Sequence, residues 1–202
     1  AYPKSAQRAE LWLRQGEAQM ALEDQTRYDE ALASFDQVLQ AGPDRDQEYR
    51  ARLNSGSVHY ALGDEEAALK AYIGLLKEGK FRNYEGRTRL LIGQSYQDRR
   101  QLEQALAEYE QVRDDFPGTP SAAMALYRTG LLHLQEYGDT ELAGEYFEET
   151  NRENPGSQGV LQAQEMLGYL SRLRQFQERV HTLALQLFYE PLDSSGDFPE
   201  TD

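Results

Sequence analysis

The chain has 202 residues, 39% of them hydrophobic, and its 21 Lys and Arg against 35 Asp and Glu give a formal net charge of −14. This charge repels polyphosphate, so nucleic acid is not an expected partner. The sequence contains no cysteine, which excludes disulfides, thiolate metal sites and thiol nucleophiles. No apolar run approaches the roughly 18 residues needed to span a bilayer, so we expect no membrane insertion by this segment.

The predicted elements are helices separated by turns that contain proline. The seven prolines are Pro3, Pro43, Pro117, Pro120, Pro155, Pro191 and Pro199. The long stretches between them are rich in Ala, Leu, Glu, Gln and Arg, which favour helix, and strand signals are nearly absent. The sequence therefore predicts an all-α fold.

An internal repeat divides the chain into units. A proline precedes a glycine by 13 residues in four places: Pro3/Gly16, Pro43/Gly56, Pro117/Gly130 and Pro155/Gly168. Gly93 fits the same spacing with Lys80 in place of the proline. An alanine followed by an aromatic residue four positions later recurs as Ala31/Phe35, Ala68/Tyr72, Ala105/Tyr109 and Ala143/Phe147. We therefore predict units over 3–42, 43–79, 80–116, 117–154 and 155–192, each consisting of two helices joined by a turn.

Local sequence signals support these turns and a close fit between paired helices. Gly63-Asp64 and Gly138-Asp139 each join a helix-ending glycine to a residue that can cap the next helix. The repeat glycines Gly56, Gly93, Gly130 and Gly168 fall in helix interiors, where glycine costs about 1 kcal/mol relative to alanine. We predict that a side chain there would push the paired helices apart.

The pattern weakens in the last unit. Val180 and Ala184 stand where an alanine and an aromatic residue are expected, and this decay is typical of a helix that caps a repeat array. We predict a C-terminal capping helix, an acidic disordered tail over 193–202, and further sequence upstream of Ala1.

These residues resemble the tetratricopeptide repeat. The matches include Leu53-Asn54-Ser55-Gly56, Gly63-Asp64, Ala68 and Tyr72 in one unit, and Ile92-Gly93, Tyr96, Ala105, Tyr109 and Pro117 in the next. The resemblance implies one solenoid over 1–192, a right-handed α-α superhelix of about five helical hairpins. It also implies a scaffold that binds a protein or peptide on its concave face.

Details of the repeat resemble the periplasmic bacterial branch of this family, which includes outer-membrane assembly lipoproteins and Tol-Pal coordinators. The period of 37 to 40 residues exceeds the usual value of about 34. The sequence at unit boundaries, such as Phe116-Pro117-Gly118-Thr119-Pro120, resembles the boundaries between repeats in that branch. The resemblance implies a bacterial envelope protein, anchored to the outer membrane through a lipidated cysteine upstream.

Catalytic and metal-binding chemistry has little support in the sequence. His59, His133 and His181 lack metal-ligand spacing, and the first two occupy an aromatic position of the repeat. Carboxylate pairs are as frequent as the composition predicts, and no phosphate loop, nucleophile elbow or zinc motif occurs. We therefore predict no catalytic residue, no metal and no cofactor.

Candidate binding residues follow from the repeat spacing. Residues one and four after each repeat glycine, and three and six before it, share one face of the first helix, which lines the concave wall of such a solenoid. The eight candidates on this wall are Arg50, Ser57, Tyr60, Arg87, Gln94, Gln97, Tyr127 and Leu131. The Lys and Asn clamp of co-chaperone tetratricopeptide domains is missing, because Leu53, Ser57, Leu90 and Gln94 occupy its positions.

Three functional hypotheses remain open at this stage. The first is an envelope scaffold that binds a protein or peptide, the second is a cytoplasmic adaptor of the same architecture, and the third is an enzyme or enzyme subunit. Self-association through the ends of the solenoid is a further option for any of them.

Overall fold

Helices account for all regular elements among residues 4–22 and 24–188, which the computed structural model describes. Eight helices form four hairpins: α1 Lys4–Ala21 with α2 Gln25–Gln40, α3 Arg45–Ala61 with α4 Glu65–Lys77, α5 Glu85–Asp98 with α6 Leu102–Asp115, and α7 Pro120–Glu136 with α8 Thr140–Glu153. A 3₁₀ turn, Arg82–Tyr84, precedes α5, and a ninth helix, α9, runs from Gln158 to Phe188. The predicted all-α fold is confirmed.

The hairpins stack in chain order. Each second helix packs against its own first helix and against the first helix of the next unit, as α6 does with α5 and α7. First helices also contact one another along the stack, in the pairs α1/α3, α5/α7 and α7/α9. This arrangement is the predicted helical solenoid, in which each unit contacts only its neighbours.

The turns within hairpins are built as the sequence predicts. Gly63 and Gly138 have φ of 79° and 67°, in the left-handed region that follows a helix end. Asp64 and Asp139 then cap α4 and α8, each accepting a hydrogen bond from the backbone N–H of the third residue of the helix. In the third hairpin Arg100 stands in place of the glycine and has a φ of 60°. Its side chain forms an ion pair with Glu136 of α7.

The repeat glycines allow aromatic rings to touch the backbone of the first helix. A Cβ added at Gly16, Gly56, Gly93 or Gly130 would lie only 2.5 or 2.6 Å from a ring atom of Phe35, Tyr72, Tyr109 or Phe147, respectively. These four rings are almost completely buried. The predicted close approach is therefore confirmed at Gly56, Gly93 and Gly130, and Gly16 makes the same contact in the first unit.

The last unit differs from the expected hairpin. The helix α9 is continuous over 31 residues, because 169–187 contain no Gly, Pro, Asn or Asp to turn the chain. The prediction of a close contact at Gly168 is wrong, since no atom lies within 4 Å of a Cβ added there. The capping helix is present, with buried residues only near its start, Gly159, Val160 and Ala163. The predicted tail over 193–202 lies outside the described residues.

Ion pairs hold the boundary at which the repeat has Lys80 instead of proline. Lys80 Nζ lies 2.7 Å from Glu48 and 3.0 Å from Glu78, while Arg52 Nη2 lies 2.5 Å from Glu78. Hydrogen bonds from Arg52 and Lys80 lower the pKa of Glu78 to about 2. Lys80 Nζ and the Arg52 guanidinium also lie 5.0 and 5.8 Å from the centre of the Phe81 ring. The cluster thus links α3 to the loop between α4 and α5.

Candidate functional site

The candidate site is a groove of about 500 Å³ between the first helices of the last three units. Its lining comes from α5, α7 and α9, and consists of Arg87, Leu90, Leu91, Gln94, Met124, Tyr127, Arg128, Leu131, Gln158 and Gln162. We call it the α5–α7–α9 groove. It follows from the solenoid architecture, because successive first helices present equivalent faces side by side.

Four of the eight predicted wall residues line this groove. They are Arg87 and Gln94 from α5, and Tyr127 and Leu131 from α7. The repeat spacing also fits Met124, six residues before Gly130, and Gln162, six residues before Gly168. Arg128 does not fit the spacing. It is recognised as a groove residue only in the structure, where it lines the groove and donates a hydrogen bond to Gln94 on α5.

The other four predicted residues make contacts within the fold. Arg50 Nη2 donates to both carboxylate oxygens of Glu17 on α1, at 2.8 and 2.9 Å. Ser57 Oγ lies 3.1 Å from the Tyr72 hydroxyl, and Gln97 accepts a hydrogen bond from Tyr109. Tyr60 joins α3 to α5, as described next. Their assignment to partner binding stays a prediction.

A chain of hydrogen bonds connects three successive first helices, from α7 through α5 to α3. Arg128 Nη2 donates to Gln94 Oε1 at 3.0 Å, and Gln94 Nε2 donates to the Tyr60 hydroxyl at 3.2 Å. The Tyr60 hydroxyl in turn donates to Asp98. Each side chain fixes the next, so the amide of Gln94 and the guanidinium of Arg128 are held in defined orientations at the groove.

Two cations in the groove, Arg87 and Arg128, have no acidic partner among the described residues. Among the described residues, neither Arg87 nor Arg128 lies within 4.0 Å of a carboxylate, whereas Arg50, Arg52 and Arg89 are all ion-paired. Arg87 is exposed. In a chain with a formal charge of −14, two arginines that line one groove and lack a carboxylate within 4.0 Å among the described residues form a local positive site.

Unsatisfied polar atoms and protonated phenols complete the chemistry of the site. Arg128 Nε and Gln162 Oε1 are buried and lack a hydrogen-bond partner among the described residues. Burial raises the pKa of Tyr127, with the charge of Arg128 opposing it. Tyr109 is not among the lining residues, but burial raises its pKa as well, to about 12. Both phenols therefore remain hydrogen-bond donors near neutral pH.

The lining of the groove consists mainly of hydrogen-bonding and apolar side chains. Its described lining includes two guanidinium groups, three amides, one phenol and four aliphatic side chains, but no histidine, carboxylate, serine or threonine. Among the residues that the structure describes, no three His, Asp or Glu side chains come together to hold a metal ion.

The predicted histidine environments are partly observed. His133 is half-buried and stacks on Tyr146, with ring centres 5.4 Å apart and planes 8° from parallel. His59 is also half-buried, and His181 is exposed on α9. His133 thus fills the aromatic position that the repeat predicts.

A second hollow, of about 550 Å³, lies at the N-terminal end of the stack. Three carboxylates, Glu10, Asp44 and Asp46, contribute to its lining. Glu10 is already paired with Arg14, and Asp44 caps α3. This hollow is larger than the groove, but its polar groups serve the fold, so we favour the groove as the functional site.

Stacked helical hairpins with a groove along their first helices define a helical-repeat binding protein. The sequence matches the tetratricopeptide repeat family over residues 13–82 and 90–157, and the chain belongs to that family. Proteins built from these repeats generally mediate protein–protein interactions and are typically non-catalytic scaffolds. A comparison with curated proteins gave no match. Within the described residues, no helix combines the length and apolar character needed to cross a membrane.

Proposed function

We propose that this protein is a non-catalytic scaffold that holds an extended acidic segment of a partner protein in the α5–α7–α9 groove. The observation that carries the proposal is the presence of two arginines, Arg87 and Arg128, without carboxylate partners among the described residues of a strongly acidic chain. A guanidinium group pairs with a carboxylate through two parallel hydrogen bonds. An aspartate or glutamate of the partner therefore supplies the missing counter-ion.

The rest of the groove can bind the residues of the partner segment that precede and follow its acidic residue. The buried oxygen of Gln162 lacks a donor among the described residues, and a backbone N–H of an extended segment supplies one. Leu90, Met124, Tyr127 and Leu131 offer apolar surface for a neighbouring side chain. The preferred ligand thus combines an acidic residue with an aliphatic or aromatic one.

Selection from a library of linear peptides displayed on phage tests this proposal. We expect enriched peptides to carry Asp or Glu next to an aliphatic or aromatic residue. Replacing Arg87 with glutamate should weaken binding of an enriched peptide about tenfold or more, because a charge-assisted hydrogen bond becomes a repulsion. Arg87 is exposed and unpaired among the described residues, so this change should leave the fold intact.

Arg152→Glu is the matched control. Arg152 is also exposed and lies outside the ion pairs of the described residues, but it is on α8, away from the groove. Binding should be unchanged in this variant. Equal affinities for the wild type and Arg87→Glu, or enrichment of basic peptides, would contradict the proposed site.

We propose further that the scaffold works in the bacterial cell envelope. The support is the repeat period of 37 to 40 residues and the Phe-Pro-Gly-Thr-Pro boundary at 116–120, which resemble the periplasmic branch of the family. A fusion of the natural gene product to alkaline phosphatase tests the location, since that enzyme is active only outside the cytoplasm. An inactive but stable fusion would favour the cytoplasmic adaptor instead.

A further inference from the structure

An apolar stripe runs along α9 beyond the part that packs on the stack. Its members alternate three and four residues apart: Tyr169, Leu173, Phe176, Val180, Leu183 and Leu187. Phe176, Leu183 and Leu187 are 65%, 57% and 77% exposed. Leu173 is half-buried. We call this set the α9 stripe.

The spacing of the α9 stripe indicates that its ligand is another helix. Apolar residues at alternating intervals of three and four form a narrow seam along one side of a helix, into which the side chains of a second helix interlock. A helix that packs on a layer in the core has a wider apolar face. In the described part of the chain, the residues of α9 that pack with α7 and α8 in the core lie between Gly159 and Leu170, and no second helix is seen to cover the exposed residues from Phe176 to Leu187.

Charge along the stripe distinguishes between the helices that could bind there. Arg172 and Arg179, seven residues apart, follow one edge of the seam, while Gln177 and Ala184 follow the other. The only acidic residue in 171–188, Glu178, lies on the opposite side of the helix. This segment is therefore positive in a chain whose net charge is −14. An antiparallel second copy of α9 would place arginines opposite arginines, and a parallel copy would place them opposite the uncharged Gln177 and Ala184, whereas acidic residues on a partner helix would neutralise them.

The stripe is also continuous with the groove. Gln162, which lines the groove, precedes Tyr169 by seven residues, two helical turns, so the two side chains lie on the same face of α9. A partner whose extended segment lies in the groove therefore has an apolar helix face next to it.

We propose that the α9 stripe binds an amphipathic helix of a partner protein, with apolar residues three and four apart and acidic residues at its edges. The proposal rests on the scaffold function proposed above and identifies a second element of the same partner. The apolar seam supplies most of the binding free energy, and Arg172 and Arg179 select acidic partners.

A pair of synthetic helices tests the proposal. Each is an 18-residue peptide with leucine at alternating intervals of three and four, carrying glutamate at the seam edges in one peptide and lysine in the other. Fluorescence anisotropy with the full chain should show that the glutamate peptide binds at least tenfold more tightly, and that added salt reduces the difference. Equal binding of the two peptides, or none, would overturn the proposal.

Variants within α9 locate the site. Val180→Glu and Leu183→Glu introduce charges into the seam and should abolish binding of the glutamate peptide. Leu185→Glu is the control, because Leu185 is 45% exposed on the opposite side of the same helix and its replacement should leave binding unchanged. Loss of binding in Leu185→Glu alone would place the site elsewhere and overturn the assignment.

Two further measurements separate the proposal from its alternatives. Light scattering should show a monomer over the range of the binding assay, and a dimer that Val180→Glu dissociates would show that a second copy occupies the stripe. Arg87→Glu should bind the glutamate peptide like the wild type, while Val180→Glu should still bind the groove peptides. These two results distinguish a failure of the proposal for the α9 stripe from a failure of the proposal for the groove.

Discussion

Replacing Gly159 with alanine is expected to lower the free energy of unfolding by about 1–3 kcal/mol. A Cβ at this position would lie 2.8 Å from the backbone carbon and oxygen of Ala123 and 2.9 Å from the backbone nitrogen of Met124. A flexible side chain could rotate away from such a contact, but the backbone of α7 cannot. The helix α9 must therefore move away from α7, even though alanine itself favours helix by up to about 1 kcal/mol over glycine.

Gly74→Ala is the control for this prediction. Gly74 also lies inside a helix, α4, and no atom lies within 4 Å of a Cβ added there. Urea denaturation followed by circular dichroism should show that Gly74→Ala is slightly more stable than the wild type and Gly159→Ala clearly less stable. Similar denaturation curves for the two variants would show that α9 does not depend on this contact.

Gly93→Leu is expected to destabilise the stack by about 1–3 kcal/mol, because its side chain would occupy the space of the buried Tyr109 ring. Gly168→Leu makes the same change at the equivalent position of the last unit, where no atom lies within 4 Å, and should not destabilise the protein. Thermal unfolding of the two variants tests the difference. An unchanged melting temperature for Gly93→Leu would contradict the tight fit of ring and glycine.

A second substitution checks the cause of the effect. Tyr109→Leu makes space on α6 and should recover part of the stability lost in Gly93→Leu, although each change alone is destabilising. Strict additivity of the two effects would show that residues 93 and 109 do not compete for the same space.

The repeat could be predicted from the sequence because each of its parts is local. Glycine and the aromatic residue are complementary in volume, so their recurrence at a fixed spacing is enough to specify the contact between the paired helices. The Gly-Asp turns are equally local, since backbone conformation and capping depend on adjacent residues. The rule failed at Gly168, where the sequence keeps the glycine but lacks the turn that would bring an aromatic residue to it.

The candidate site was only partly predictable because its charge depends on pairing between residues that are distant in the sequence. The spacing rule found Arg50 and Arg87 on equivalent positions and could not distinguish them. In the structure Glu17 neutralises Arg50, whereas Arg87 is without a carboxylate among the described residues. Arg128 lies outside the rule, and its place in the groove depends on the distance between α5 and α7, which sequence spacing does not give.

The continuity of α9 also has a mechanical consequence. Its segment 171–188 extends about 27 Å, at 1.5 Å per residue, and belongs to the same rigid rod as Gln158 and Gln162 in the groove. The start of α9 contacts the backbone of α7 at Gly159, and Ala163 and Leu170 pack in one cluster with Ala143 and Phe147 of α8. Because one continuous helix carries both the groove glutamines and the α9 stripe, a partner helix bound at the stripe is held at a fixed distance from the groove.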